Sequence, residues 1–576
     1  MNILGLSDVT GNHSHSCVAV LQDGKLTFAL SQERISRVKN DPSFPFAAID
    51  AALAHTGLRL ADFDAFACAY PPPRYYASLM QHGVLDLPHS LLGVFAHKPA
   101  ALLRYLLPNL KKGLFDPKSA NGLIDLGVSA QKFRFVDHHL AHVSAGFFSS
   151  EFDEALAISY GGFAPHADGR NVAGAVYRCR GNDIVFLQDI PMFASGCCYS
   201  GVTVALGFRY MAQEGKTMGL AKTADPGDCD DEVRRLVSRF DDGWRKYPLW
   251  IDYILSPRAD AFLASVSGRK LLKLIDRYSP ARVAAAFQKV WEMNLVNFVK
   301  ELQKRYSFKN LVLCGGTFLN VQINSLIAGM EGVENIFVHP HPGDGSTAVG
   351  AAIEAQRNLT GKPARTPVID TGLGVEFSDD EIRAALKRII GKVKIEAVAD
   401  PAAFAAQRLA AGKIVGWFQG REEYGHRSLG HRCILGAPQP EIKERITRSV
   451  KKRESWIPIS PSILKERLAD FFQDPADPFM MRVCRVRAGK RESIGAALHA
   501  DGSARVQAVG TDAYPPFRRL IEQFEHLTGM PPVLNTSLNR HGEPMVHTPS
   551  EAVDLLLAGA MDVLVIGSFA VQKFAG

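Results

Sequence analysis

A strand followed by a tight hairpin occurs twice in this sequence, and that recurrence constrains the fold more than any other feature. Residues 2–8 read as a buried strand, and CVAVLQDGKLTFAL (17–30) reads as a hairpin turning at Asp23-Gly24, the strongest short hairpin signal. EALAISYGG (154–162) followed by VAGAVYRCRGNDIVFLQDI (172–190) repeats the set, with its turn at Gly181-Asn182. With a helix expected around Ala47–His55, the pattern predicts an α/β domain of two similar halves facing a cleft. The chain has 576 residues, so this duplication leaves material for more. From about 355 to 400 it becomes Pro-rich and loop-like (GKPARTPVIDTGLGVEF) before the helical run DDEIRAALKRII, which reads as an interdomain connection. The expected division is a first domain over 1–360, a linker over 361–399 and a second α/β domain over 400–576. The leucine-rich stretch 84–113, with Lys98, Arg104, Lys111 and Lys112, reads as a pair of core-packing helices inserted in the first half.

Charge and composition remove several function classes. A hydrophobic content of 47% with 22% charged residues excludes a disordered, collagenous or coiled-coil chain. The net charge of +7 is mild for this length, which disfavours a nucleic-acid partner while permitting a local anion site. The opening MNILGLSDVT lacks the basic and apolar regions of a signal peptide. The nearest approach to a membrane span, residues 552–571, is interrupted by Asp554 and Asp562. Nine cysteines with no CxxC pair point to reduced thiols. The expectation is a cytoplasmic protein with no membrane partner.

Three groups of residues carry chemistry. In VDHHLAHVSAGFF (136–148), His138 and His142 are four apart, which on a helix puts both imidazoles on one face at the spacing of two metal ligands. His139 points elsewhere. In PGDGSTAVGAA (342–352), Asp344 sits between glycines where a loop becomes a helix, a place that favours anions; a carboxylate there suits a metal ligand, or a plain helix cap. Two imidazoles and one carboxylate with open positions suit Fe(II), Mn(II) or Zn(II). YGGF (160–163) and CGGT (314–317) each follow a strand, and two such Gly-Gly turns facing one cleft fit a nucleotide site of the actin or sugar-kinase type. There is no GxxxxGK[ST] loop, so P-loop chemistry is excluded. In the second domain, GREEYGHRSLGHRCIL (420–435) carries Arg421, Arg427 and Arg432, and residues 441–467 hold eight Lys/Arg against four Glu. With Arg505 and the LNTSLN turn (534–539), these clusters fit a small-anion pocket, although a solvated helix face explains many of the 441–467 charges equally well.

Eight blocks in order extend these motifs to the whole chain: SQERISRVKNDPSFP (31–45), DHHLAH (137–142), EGKTMGLA (214–221), VLCGGTFLNVQIN (312–324), PGDGSTAVGAA, GREEYGHRSLGHRCIL, HADGSARVQ (499–507) and PPVLNTSLNRHGEPMVHTP (531–549). In these the chain resembles the O-carbamoyltransferases typified by nodulation protein NodU and the cephamycin and tobramycin carbamoyltransferases. The resemblance implies an actin-like ASKHA domain similar to TsaD, followed by a domain similar to YrdC/Sua5. It implies an enzyme that makes carbamoyl adenylate from carbamoyl phosphate and ATP, with Mg for the ATP. The carbamoyl group then passes, at an iron-containing site, to a hydroxyl of a small natural-product acceptor. On the matching positions, His138, His142 and Asp344 would hold the metal. Gly161, Gly162, Gly315, Gly316 and Asn320 would hold the nucleotide. Arg427, Lys451, Arg505, Asn535 and Ser537 would surround carbamoyl phosphate, and Lys39 would face the transfer site. His139 is the candidate to accept the hydroxyl proton, and His13 or His15 stands for the histidine the family carries near its amino terminus. A homodimer is the assembly to test.

Three departures qualify the resemblance. Tyr160-Gly161 replaces an Asp-Gly pair, RESWIP (453–458) replaces REPFRP so that Ile457 stands for an arginine, and GHRSLG replaces GPRALG. Lys452 and His426 are candidates to compensate for the missing arginine. The competing readings are a binding or regulatory homologue with a decayed donor site, and transfer to an amine or to tRNA. A sugar-kinase-type phosphotransferase accounts only for the first domain.

Overall fold

The structure, a computed structural model, describes residues 1–7, 15–69, 127–166, 171–191, 196–209, 212–236, 259–454 and 456–574. The 84–113 stretch and His13 lie outside the described residues. The chain forms two units, Met1–Thr27 with Asn40–Pro367, and Phe28–Lys39 with Val368–Gly576. It therefore enters the second unit early, returns, and re-enters after Pro367.

In unit 1 the expected hairpins form two five-stranded sheets of one plan. The first comprises β1 (Asn2–Leu6), β2 (Cys17–Gln22), β3 (Lys25–Ser31), β4 (Ala65–Cys68) and β5 (Phe133–Phe135), in the order β3-β2-β1-β4-β5. The second comprises β6 (Glu154–Pro165), β7 (Asn171–Arg180), β8 (Asp183–Pro191), β9 (Asn310–Cys314) and β10 (Asn335–Val338), in the order β8-β7-β6-β9-β10. In each, the leading strand pairs antiparallel with its hairpin neighbour and parallel with the next strand, β1 with β2 and β4, and β6 with β7 and β9. The continuous apolar runs of β1 and β9 are those of strands buried on both faces. The first hairpin is followed by α1 (Phe46–Thr56), the helix expected there.

Two helices lie against these sheets and touch each other: α2 (His138–Phe148) and α4 (Ser346–Thr360). Their sequences are rich in Ala, Gly and Ser, which permits a close approach. At Gly350 a Cβ would overlap the Ala141 carbonyl of α2, so the backbones meet only because that position has no side chain. Between β8 and β9 lies the long helix α3 (Pro280–Arg305), started by Pro at its first position and a Ser279 cap.

Unit 2 is organised on an eight-stranded mixed sheet: β11 (Val393–Ala397), β12 (Val415–Phe418), β13 (Arg432–Gly436), β14 (Ser460–Leu464), β17 (Gln507–Val509), β18 (Val533–Ser537), β19 (Val563–Ile566) and β20 (Phe569–Lys573). Its order is β11-β20-β19-β12-β13-β18-β14-β17, and β15 (Val483–Arg485) pairs separately with β16 (Ser503–Arg505). Alternation along the central strands feeds two cores. Trp417, Leu435, Val563 and Val565 face one, with α6 (Pro401–Ala410) and α7 (Pro515–Thr528). Phe418, Ile434, Leu564 and Ile566 face the other, with α5 (Asp379–Lys387) and α8 (Pro549–Leu557).

Two expected boundaries differ from this arrangement. Residues 368–399 belong to unit 2: they supply α5, opened by a Ser378–Glu381 capping box, and the edge strand β11 on β20. Residues 28–39 also belong to unit 2, held there by one backbone bond and two arginines. The Ala29 amide donates to the Leu373 carbonyl, Arg34 donates to the carbonyls of Glu423 and Gly425 at 3.1 and 2.6 Å, and Arg37 reaches those of Pro544 and Met545. Of all nine cysteines none is bridged, and no helix of the described residues is long and apolar enough to cross a membrane.

Candidate active site

In unit 1, α2 and the loop before α4 bring His138, His142 and Asp344 together, with one potential ligand atom from each within 4.8 Å of the others. Asp344 Oδ1 lies 3.4 Å from His142 Nε2 and 3.8 Å from His138 Nε2. The hydrogen-bond network assigns a tautomer to His142. Ser346 Oγ donates to the Gly343 carbonyl at 3.0 Å, so His142 Nδ1, 3.2 Å from that oxygen, is the donor and Nε2 carries the lone pair. A lone pair then faces a carboxylate oxygen inside a buried site. That is the donor set of a divalent cation.

Around this set lies a second layer of titratable groups. His139 is buried, its Nδ1 is 3.0 Å from Ser159 Oγ, and burial holds its pKa down to about 4. Burial thus keeps the ring neutral, the form in which an imidazole accepts a proton. His166, which the sequence reading did not single out, is held between Asp137 Oδ2 at 2.9 Å and Asp189 Oδ1 at 2.7 Å. Burial opposes its charge, yet the two carboxylates raise it above the ordinary histidine range. Burial likewise opposes ionisation of Asp137, but the bond to His166 brings it down to about 2. His15, with a left-handed φ of 80°, packs edge-on against His341 at 5.7 Å.

The two Gly-Gly pairs lie near each other on adjacent strands. Ser159 of β6 pairs with Cys314 of β9; Gly315-Gly316 follow β9 as expected, but Gly161-Gly162 lie inside β6, at the bulge between Tyr160 and Ala164, and do not form a turn after the strand. Gly315 has φ +94°, and a Cβ there would overlap the Tyr160 carbonyl. The neighbouring Thr317 Oγ1 is buried with no hydrogen-bond partner. Asn320 caps the helix Val321–Ala328 and exchanges hydrogen bonds with Gln288. Tyr160 lies in the core, stacked on Trp291 at 6.3 Å.

Unit 2 gathers cations. Arg427, Arg453 and Arg505 interact electrostatically with one another or with Lys451 and Lys39, against the single shared carboxylate Asp477 and the flanking Glu454 and Glu543. Burial pushes Arg427 and Arg453 down to about 10. For Arg505, burial and then the repulsion of Arg427 and Arg453 lower it well below the arginine range. Asp477 is raised by burial, so it is a poor counter-charge. The Nε atoms of Arg427 and Arg453 are buried without partners. Positive charge is thus held in excess beside donors that point nowhere in the protein, which is the electrostatics of an anion site.

The polar floor of this cluster is closed on itself. Lys451 Nζ lies within hydrogen-bond reach of four acceptors, Ser537 O, Asn539 Oδ1, Asn539 O and Ser537 Oγ, at 2.5, 2.6, 3.0 and 3.1 Å, which take up its three protons. Asn535 Nδ2 meets Ser462 Oγ, the Ser428 carbonyl and Gln507 Oε1 at 3.0–3.2 Å. Arg505 Nε donates to Ser460 Oγ at 3.0 Å. Asn535, Ser537 and Lys451 therefore form the frame, and the three arginines supply the free donors. Lys39 lies in unit 2; desolvation, with Arg34, Arg427 and Arg37, lowers its pKa against the pull of Glu33.

Two family models cover the chain: "Carbamoyltransferase N-terminus" over residues 2–353 and "Carbamoyltransferase C-terminus" over 406–573. The chain belongs to the carbamoyltransferase family. Nodulation protein NolNO of Sinorhizobium fredii is 30% identical over 98% of this carbamoyltransferase and 80% of its own length. Nodulation protein NolO of Bradyrhizobium diazoefficiens is 33% identical over 76% and 79%. The 3'-hydroxymethylcephem-O-carbamoyltransferase of Amycolatopsis lactamdurans is 28% identical over 75% and 81%. Among solved structures, full-length HypF in its phosphate- and nucleotide-bound form aligns at 12% identity over 62% of this chain and 56% of that one. Its TM-score of 0.32 is too low to carry an argument.

The departures from the family pattern acquire physical content here. Tyr160 does not replace the missing aspartate in kind, because its ring fills a core of Trp291 and Phe318. Lys452, in a left-handed turn at φ 42°, is exposed and does not stand in for the arginine at Ile457. Arg453, two residues after Lys451 in KKRESW, is the cation that the sequence reading passed over; its spacing from Lys451 was the available signal.

Proposed function

We propose that this carbamoyltransferase makes carbamoyl adenylate from carbamoyl phosphate and ATP in unit 2, and that unit 1 transfers the carbamoyl group to a hydroxyl of a small natural-product acceptor. The observation that carries the donor half is the excess of cations in Arg427, Arg453, Arg505 and Lys451 over Asp477. Atoms balance when water takes the donor's phosphoryl group to release inorganic phosphate and leave carbamate, the carbamate oxygen attacks the α-phosphorus of ATP and displaces pyrophosphate, and the acceptor oxygen then displaces AMP with loss of its proton. Arginines that meet the phosphate oxygens stabilise charge as each leaving group departs. The relatives' names, NolO and the cephem O-carbamoyltransferase, support a carbamoylated small molecule as product.

In this reading unit 1 is the TsaD-like ASKHA domain, supported by the shared plan of its two sheets, and unit 2 the YrdC-like domain. The bulge at Gly161-Gly162 and the turn at Gly315-Gly316 receive the nucleotide, and His138, His142 and Asp344 hold a divalent cation, Fe(II) by resemblance. When bound, that cation supplies Lewis-acid charge for phosphate or carbonyl oxygens. His142 is held ready by Ser346, and Asp344 by its place at the start of α4.

Pyrophosphate release by Fe(II)-loaded protein with ATP, with and without carbamoyl phosphate and in the absence of acceptor, tests the donor half. Release that depends on carbamoyl phosphate is expected. No release while ATP still binds would overturn the donor chemistry and revive the reading of a binding homologue motivated by Ile457.

A further inference from the structure

We infer that His166 is a positioning residue for the metal set, acting through Asp137 on the first turn of α2; the inference rests on the reading that His138, His142 and Asp344 bind a divalent cation. Both metal-set histidines lie in the opening turns of that helix, at its first and fifth residues, where unpaired amides leave the backbone prone to fray. Asp137 is the cap: its Oδ1 accepts the Leu140 amide at 2.9 Å. Its other oxygen, Oδ2, is held by His166 Nδ1 at 2.9 Å, and the opposite edge of that ring is tied to Asp189 of β8 at 2.7 Å. The start of α2 is thereby strapped through one imidazole to a strand of the second sheet.

A second physical route runs through packing. The rings of His166, His139, His138 and His142 form a row in which each meets the next edge to face, at 5.3, 5.2 and 4.6 Å between centroids. Removing the first ring opens space behind His139, whose Nδ1 is anchored on Ser159, and through it behind His138. Both routes end in the same loss, the angle at which His138 and His142 present their Nε2 atoms to Asp344. His166 stands in YGGFAPHAD, the same segment in which Tyr160 departs from the family's Asp-Gly pair.

The test titrates full-length protein with Co(II) and reads affinity by calorimetry and ligand geometry by the visible d–d spectrum. Wild type is expected to bind one ion, and His142→Ala to lose it; if wild type binds none, the metal reading fails and takes this inference with it. His166→Ala is expected to bind at least about tenfold more weakly, the usual effect of losing an outer-layer partner of a metal ligand, with a shifted d–d band at saturation. His166→Gln, which retains a bond to one carboxylate, is expected to fall between the two, and it is read in place of the alanine variant if that variant loses its circular dichroism. Asp189→Asn, which still accepts from Nε2, is expected to recover most of the affinity. Wild-type Co(II) affinity and an unshifted spectrum in the His166 variants, with metal lost in His142→Ala, would overturn the inference while leaving the metal site standing.

Discussion

Replacing Arg427 by methionine should stabilise the ligand-free protein while destroying its grip on phosphate. At 1.36 kcal/mol per pKa unit, a fall from the ordinary arginine range to about 10 means the charged guanidinium is held about 3 kcal/mol less favourably than in water. Its folded value lies below its unfolded one, so this penalty is fully present at pH 7 and is relieved only as pH rises through about 10. Methionine removes the penalty and keeps the apolar stem. That figure is already net of the attraction of the buried Asp477, and methionine makes no new unpaired donor in place of the buried Nε. A gain of about 3 kcal/mol corresponds to a melting midpoint raised by about 6 °C or more for a unit of this size. Loss of one charged contact to phosphate costs about 1.5–3 kcal/mol, or roughly 10- to 150-fold in affinity. Differential scanning fluorimetry in low salt, with and without inorganic phosphate, reads the first effect, and calorimetry with carbamoyl phosphate reads the second. A lower midpoint without phosphate, or an undiminished phosphate-induced rise in the variant, would refute the account of a strained cation cluster.

Lys451→Met should behave oppositely: it takes the Lys451 donor from the Asn539 carbonyl and unties the Ser537–Asn539 turn, so the midpoint should fall by several degrees even without ligand, and an unchanged midpoint would show that the frame does not depend on it. Arg34→Met leaves the Glu423 and Gly425 carbonyls unpaired next to the loop bearing Arg427; KM for carbamoyl phosphate should rise severalfold, and an unaltered KM would separate that loop from residues 28–39. Gly315→Ala puts a side chain at φ +94° against the Tyr160 carbonyl, so soluble yield should collapse, and a protein that melts like wild type would contradict the packing of the two glycine pairs. Asn320→Ala should lower the midpoint through loss of a helix cap worth about 1 kcal/mol while leaving KM for ATP within twofold; a large KM change with normal stability would return Asn320 to the nucleotide site.

What was legible in the sequence was local, and what was missed depends on long-range geometry. The hairpins at Asp23-Gly24 and Gly181-Asn182 announce themselves because turn chemistry and alternation act over a few residues, and the His138/His142 pair does so because helical spacing puts i and i+4 on one face. The boundary at 361–399 misled because Pro and Gly mark loops without saying which core the loop serves; the capping box at Ser378 and the alternating Val393–Ala397 were the better guides, since a helix and an edge strand need a core to cover. The transfer of residues 28–39 to unit 2 has no local signature at all, because Arg34 bonds to carbonyls nearly four hundred residues away.

The distinction between frame and free donor explains the rest. Asn535, Ser537 and Lys451 are the residue types that bind phosphate in any sequence reading, yet a buried polar side chain must first satisfy its own hydrogen bonds, and these three do so on one another and on Asn539, Ser462 and Gln507. Arginine escapes that fate, because its five donors exceed what the local carbonyls can accept. Arg453 and Arg427 keep buried Nε atoms unpaired for the same reason. The loss of an arginine at Ile457 then costs the site one donor out of several, and the decisive quantity is how many guanidinium donors remain: three arginines still converge where the sequence suggested a depleted pocket.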